Sequence, residues 1–253
     1  MASTILILGA NGRLGQVAVT EFAAAGWTVL AQARRPLRNL PAGAQSVVVD
    51  AMDGAALIAA AKGVDVVLNT LNPKYTEWKT LMKPLCANAI AAAEANGAHL
   101  LFPGNIYNYG ESMPEVLRED TPVAATAGKD KVRMEVEAML QAASKRGVAV
   151  TVLRGGDYFG GPGRGSWFDL NVVSSLAKGT MVYPSDADTI HAWAYLPDFA
   201  RAMVALANQR AQLHGFQSFN FAGHTFTGAE LADTFNQVLT RPVKLKTMPR
   251  GVL

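Results

Sequence analysis

Apolar and polar positions change their spacing repeatedly along this chain, and each change marks an element. Thr4-Ile5-Leu6-Ile7-Leu8 is a short unbroken apolar run, the mark of a parallel strand buried on both faces. From residue 14 to 25 the apolar residues recur at helical spacing. The exchange then repeats. Apolar runs at 27–32, 46–50, 64–70, 99–103 and 148–153 predict five further strands. Helical patterns at 54–62, 77–96 and 129–145 separate them, with Asp53 as an N-cap and Gly97 and Gly147 as stops. Alternating strands and helices predict an α/β fold: a doubly wound parallel sheet of the Rossmann kind, with helices on both faces. After residue 153 the pattern loosens. Helices are expected near 167–178, 198–208 and 228–240, and short strands near 189–195, 218–221 and 243–246. This divides the chain into a Rossmann domain over residues 1–160 and a smaller α+β lobe over 161–253, interleaved with the sheet. Pro249-Arg250-Gly251 reads as the start of another element, which points to truncation at the C-terminus.

Between the first strand and first helix stands Gly9-Ala10-Asn11-Gly12-Arg13-Leu14-Gly15. A glycine-spaced turn in that context is what a dinucleotide needs. Gly9 permits the tight turn, Gly12 lets the backbone approach a pyrophosphate, and Gly15 lets helix and strand pack closely. The phosphates would rest on free N–H groups at the helix start. The spacing is G-x-x-G-x-x-G rather than G-x-G-x-x-G. At the end of the second strand an acid would bond the ribose 2′-hydroxyl of NAD. Here Arg34, Arg35 and Arg38 follow instead, a setting for a 2′-phosphate, so NADP is expected ahead of NAD. In such sheets the ligand lies beyond the carboxyl ends of the strands. Asp50, Ala51, Asn69, Pro103 and Gly104 occupy that rim and are assigned to the cofactor.

Composition narrows the class further. A net charge of +3 without a basic run gives no footprint for nucleic acid. No apolar stretch is long enough to span a membrane, and the first lacks the basic lead of a signal peptide. A single cysteine, Cys86 in an alanine-rich helix, fits a small core residue in a reducing cytoplasm. The four histidines lack metal-ligand spacing, so no metal is expected. No Gly-x-Ser-x-Gly elbow supports a serine hydrolase. The expected partner is a small-molecule substrate, and the protein is expected to be a monomer or homodimer.

The glycine turn, Asp50 after the third strand and the Tyr107-Asn108-Tyr109-Gly110 loop resemble the extended, epimerase/dehydratase-like branch of the short-chain dehydrogenase/reductase superfamily. So do the loop from Leu153-Arg154 to Gly161-Pro162, the segment from His191 to Asp198 and Phe219-Asn220-Phe221-Ala222-Gly223. The resemblance implies an NAD(P)-dependent enzyme with a Ser or Thr after the fifth strand and a Tyr-x-x-x-Lys in the next helix. Its Tyr is the acid/base, and its Lys lowers the phenol's pKa and holds the nicotinamide ribose. The serine position falls at Gly104-Asn105, and the lysine matches Lys131. Four residues before Lys131 stands Ala127, so the usual tyrosine is missing. A literal match, Tyr75-Thr76-Glu77-Trp78-Lys79, follows the fourth strand instead and is read as coincidence.

Tyr107, a few residues after the fifth strand, is the phenol best placed to replace the tyrosine, with Lys131 and Asn105 beside it. Tyr75, Tyr107, Arg154, Tyr158 and His191 are the substrate-side candidates. The expected function is hydride transfer on a small carbonyl, hydroxyl or sugar-type compound by an NADP-dependent oxidoreductase or epimerase/dehydratase-like enzyme. The alternative is a non-catalytic NADP-binding sensor.

Overall fold

The computed structural model describes residues 2–110, 113–124 and 128–248. Ala127 and the Pro249-Arg250-Gly251 segment lie outside the described residues. The first half alternates strand and helix: β1 (Thr4–Leu8), α1 (Arg13–Ala24), β2 (Thr28–Ala33), β3 (Ala44–Val48), α2 (Gly54–Ala60) and β4 (Val66–Asn69). It continues through α3 (Trp78–Asn96), β5 (His99–Asn105), α4 (Gly128–Lys145) and β6 (Val150–Gly155). One more sheet strand, β10 (Phe216–Asn220), comes from far down the chain and pairs with β6. The order across the seven-stranded sheet is β10-β6-β5-β4-β1-β2-β3. Every pairing in it is parallel.

Two apolar layers cover the sheet. On one face Leu57, Trp78, Met82, Ile90, Val136 and Leu140 of α2, α3 and α4 pack on Leu6, Leu100 and Val152. On the other, Phe22 of α1 and Phe199 and Met203 of α5 (Leu196–Asn208) pack on Ile5, Ile7, Leu68 and Leu101. Successive residues of β1 thus feed opposite layers, as strand geometry requires. A fully buried side chain such as Phe22 contributes about 1.5–3 kcal/mol. Cys86 is buried in the first layer, and that burial pushes its thiol up to about 12.

The second part holds two small sheets. One joins β7 (Asp157–Phe159), β9 (Ile190–Tyr195) and β11 (His224–Thr227); the other pairs β8 (Thr180–Tyr183) with β12 (Lys244–Thr247). They pack with α6 (Gly228–Val238) around Tyr183, Trp193 and Leu231. A capping box starts α6: Thr227 and Glu230 bond each other's backbone N–H. The expected helix at 167–178 is replaced by two short turns, Phe168–Val172 and Leu176–Lys178. The strands β7, β8 and β11 were not legible in the pattern, being three or four residues long. No helix among the described residues is long and apolar enough to cross a membrane.

Candidate active site

The strand order reverses between β1 and β4, and a cleft of about 1360 Å³ opens there, beyond the carboxyl ends of the strands. Gly9 turns the chain out of β1 with φ +74°, a conformation that side chains resist. The buried amide of Gln32 fixes this turn: its Oε1 accepts from the Gly9 N–H at 2.8 Å, and its Nε2 donates to the Val49 carbonyl at 2.6 Å. A Cβ on Gly15 would lie 2.3 Å from the Gly9 carbonyl oxygen, so only glycine lets α1 sit this close. Gly12 is the N-cap of α1, and no side chain among the described residues caps that end. With Gly9, Asn11, Arg13 and Leu14 it lines the cleft, leaving room that a side chain at residue 12 would fill. This is a fit for a pyrophosphate.

Around the same end stand Arg34 and Arg35, exposed on the rim, with Asp50 and Ala51 opposite. Asp50 Oδ1 accepts from the Met52 N–H at 3.0 Å. Asn69, Pro103 and Gly104 line the floor, and Asn69 Oδ1 accepts from the Leu71 N–H at 3.1 Å. Ala10 is buried and does not line the cleft; its N–H instead bonds the Gln32 carbonyl, tying the turn to β2. Arg38 stays outside the cleft. Arg13 lines the cleft as part of the turn. Its guanidinium crosses to Asp169 and to the Gly160 carbonyl, which binds the glycine-rich loop to the phosphate turn. Burial opposes the Asp169 charge, but hydrogen bonds from Arg13, Ser166 and Gly165 outweigh it and hold the carboxyl well below the usual range.

At the other end of the cleft the phenols of Tyr75, Tyr107 and Tyr158 gather around the Arg133 guanidinium. Arg133 is 9% exposed and enclosed by rings, 4.5 Å from the Trp78 centroid and 5.8 Å from that of Phe102. Its Nη2 donates to Asn72 Oδ1 at 3.4 Å, and its Nε has no partner among the described residues. No carboxylate among the described residues forms a salt bridge with it. Burial presses its pKa down. A buried cation in a cleft wall, with no salt bridge among the described residues, calls for an oxygen-rich ligand. Tyr107 hydrogen-bonds Tyr75 and, at 3.4 Å, Asp157 Oδ1. Burial first, then the Asp157 charge, holds this phenol well above its ordinary value, while Arg133 pulls it down. Tyr158 donates to the Gly104 carbonyl at 3.2 Å, and burial raises it too.

Several sequence-based assignments land elsewhere. Lys131 is exposed and does not line the cleft. Residues of a helix turn about 100° each, and the buried stripe of α4 runs through Val132, Val136, Leu140 and Ala143. Arg133 borders that stripe and Lys131 falls outside it, so Arg133 rather than Lys131 lines the cleft. A cationic residue at the edge of an apolar stripe was the available signal. Arg154 lies outside the cleft, buried in an ion pair with Glu137 at 2.6 and 3.1 Å. Asn105 lines the cleft, but its Oδ1 caps the turn Ile106–Tyr109 through the Tyr107 N–H. Tyr75 stands half-exposed at the mouth against Trp78. His191 sits behind the cleft wall, its Nε2 2.8 Å from Asp157 Oδ2. Asp157 and Gln32 drew no assignment from sequence, because their partners are distant along the chain.

A profile of the NAD(P)H-binding family matches residues 9–165. The comparison with curated proteins gives no match. Among solved structures, the UDP-N-acetylglucosamine 4-epimerase of Bacillus cereus is 17% identical with a TM-score of 0.81; the match covers 98% of this chain and 85% of that one. The UDP-glucose-4-epimerase of Stenotrophomonas maltophila, solved with bound NAD and formylated UDP-arabinopyranose, is 19% identical with a TM-score of 0.81 over 99% and 87%. The UDP-Glc/GlcNAc 4-epimerase of Campylobacter jejuni is 17% identical with a TM-score of 0.77 over 99% and 88%. At such identities the likeness is one of fold.

Proposed function

The chain belongs to the NAD(P)H-binding family, and on that premise we propose that it is an NADP-dependent oxidoreductase or epimerase/dehydratase-like enzyme that moves hydride at a hydroxyl- or carbonyl-bearing carbon of a small sugar-type substrate. The carrying observation is the Tyr107 phenol beside the buried Arg133 guanidinium, inside the cleft that the glycine turn opens. When bound, the nicotinamide would supply the hydride acceptor or donor. The backbone at Gly9, Asn11, Gly12, Arg13 and Leu14 would hold the pyrophosphate, and Arg34 and Arg35 would hold the 2′-phosphate, which supports NADP over NAD. Arg133 binds ribose oxygens and favours a phenol that gives up its proton. Tyr107 exchanges that proton with the substrate oxygen. Residues 1–160 carry the cofactor and 161–253 shape the substrate side. The sugar-type substrate is supported by the formylated UDP-arabinopyranose bound to one structural relative.

A non-catalytic NADP sensor is the second reading, favoured by the missing tyrosine and the elevated Tyr107 phenol. One experiment separates the two. The purified protein is titrated with NADP and NAD, then screened with sugar nucleotides, ketones and aldehydes while nicotinamide absorbance and product epimers are followed. Turnover that falls about 10²–10⁴-fold in Tyr107→Phe, with cofactor affinity kept, supports the enzyme. Tight NADP binding with no turnover across the screen supports the sensor, and binding of neither nucleotide defeats both.

A further inference from the structure

Behind Tyr107 two more polar side chains stand in line, contributed by strands that the sequence separates widely. Tyr107 belongs to the turn after β5, Asp157 opens β7, and His191 lies in β9. We propose that Asp157 and His191 are positioning residues for Tyr107: Asp157 takes and returns the phenol's proton, and His191 fixes the carboxylate that does so. This inference rests on the function proposed above.

The geometry gives each group one task. The Tyr107 hydroxyl donates to Asp157 Oδ1 at 3.4 Å, while His191 Nε2 faces Asp157 Oδ2 at 2.8 Å. A carboxylate only accepts, so the imidazole presents Nε2–H to it. The two oxygens are then engaged from opposite sides, and the carboxylate plane is held. The imidazole is itself held by rings: Trp193 at 4.2 Å between centroids, Trp167 stacked at 6.1 Å, and Tyr183 edge-on at 6.4 Å. An acid/base group, its proton partner and a third group that orients the partner form a recurrent catalytic arrangement.

The arrangement answers a difficulty in the cleft. A free tyrosinate is disfavoured there by burial and by the Asp157 charge, and Arg133 only offsets part of this. A phenol that gives one proton away as it takes another in never carries the charge. In the alcohol-oxidising direction the substrate O–H proton passes to Tyr107 Oη, and the phenol's own proton passes to Asp157 Oδ1. The C–O bond becomes C=O as the hydride of that carbon leaves to the oxidised nicotinamide of the proposed function. In the carbonyl-reducing direction each proton retraces its path. The titratable groups facing this line are Tyr75 and Arg133 at Tyr107, Tyr158 beside Asp157, and Tyr183 against His191.

The test uses the whole protein with carbon-13 at the tyrosine Cζ atoms and nitrogen-15 in the histidine rings. Tyr107→Phe assigns the Tyr107 signal. We expect that signal to remain that of a neutral phenol above pH about 10, the usual tyrosine value, and to titrate about one unit lower or more in Asp157→Asn. Asp157→Ala serves if Asp157→Asn does not fold. Nitrogen shifts in the unaltered protein should report His191 protonated at Nε2. In turnover assays His191→Phe should lower kcat at unchanged KM and cofactor affinity, and His191→Gln should restore most of it by keeping an N–H donor. A Tyr107 midpoint unmoved in a folded Asp157 variant, or a His191 ring unprotonated at Nε2, overturns the proposal. Failure to bind NADP or turn over any substrate defeats the function reading alone, because the magnetic-resonance readouts need neither.

Discussion

Replacing Arg133 by methionine should separate stability from binding. Among the described residues the guanidinium makes one long hydrogen bond, to Asn72, and faces the Trp78 and Phe102 rings. The ring contacts are worth about 0.5–2 kcal/mol each. Against them stands the cost of burying a cation with no salt-bridge partner among the described residues and an unpartnered Nε, several kcal/mol by the usual reckoning. Methionine fills similar space beside the same rings without that cost. The two sides nearly cancel, so the melting temperature of Arg133→Met should stay within about 3 °C of the parent or rise; 1 kcal/mol shifts a protein of this size by about 2–4 °C. Binding should behave in the opposite way. Each charge-assisted hydrogen bond to a ribose oxygen is worth about 1.5–3 kcal/mol. At about 1.4 kcal/mol per tenfold, losing one weakens cofactor affinity by roughly 10–150-fold. Differential scanning fluorimetry without ligand and calorimetric titration with NADP measure the two quantities. Cofactor affinity within about threefold of the parent, together with a fall in melting temperature of several degrees, would show that Arg133 is structural and refute the reasoning.

Gly12→Val should abolish cofactor binding in a protein that still folds, because its Cβ would already touch the Gly9 carbonyl at 3.2 Å and its methyls would enter the cleft; retained affinity in titration refutes this. Replacing Arg34 and Arg35 together by alanine should weaken NADP by about 1.5–3 kcal/mol per lost charged hydrogen bond and leave NAD nearly unchanged, measured by calorimetry. An unaltered protein that binds NAD more tightly than NADP speaks against the basis of that prediction. His99 is buried against Thr151 at 2.8 Å, and burial, then the charges of Arg210 and His214, lowers it to about 4. The unfolded chain therefore takes up the proton first, so this contribution to stability is present above pH about 6.5 and is lost as pH falls toward about 4. Denaturation midpoints across that window should fall less steeply in His99→Gln, and an identical slope counts against it.

Local pattern determined the alternation of strands and helices, the glycine turn and the direction in which the sheet opens. Each depends on residues close in sequence: the Ile/Leu run of β1, Gly9 at its positive φ, and the helical stripe of α1. Local pattern also named Tyr107, because a loop leaving β5 must end at the rim. It does not reach contacts between elements remote in the chain. Lys131 and Arg133 both read as charges on one helix, and only packing of α4 on α3 and β5 shows which is buried. Arg154 reads as a free cation in a glycine loop until Glu137, on another element, neutralises it. Arg13 stands in the glycine turn, and its guanidinium pairs with Asp169, 156 residues further along the chain. Asp157 gains its role from Tyr107, fifty residues earlier, and from His191, thirty-four later. Backbone conformation and burial periodicity are short-range properties, so the sequence alone determined the fold class and the nucleotide turn. The partner of a buried charge is chosen by where distant elements meet, and only the tertiary structure decided it.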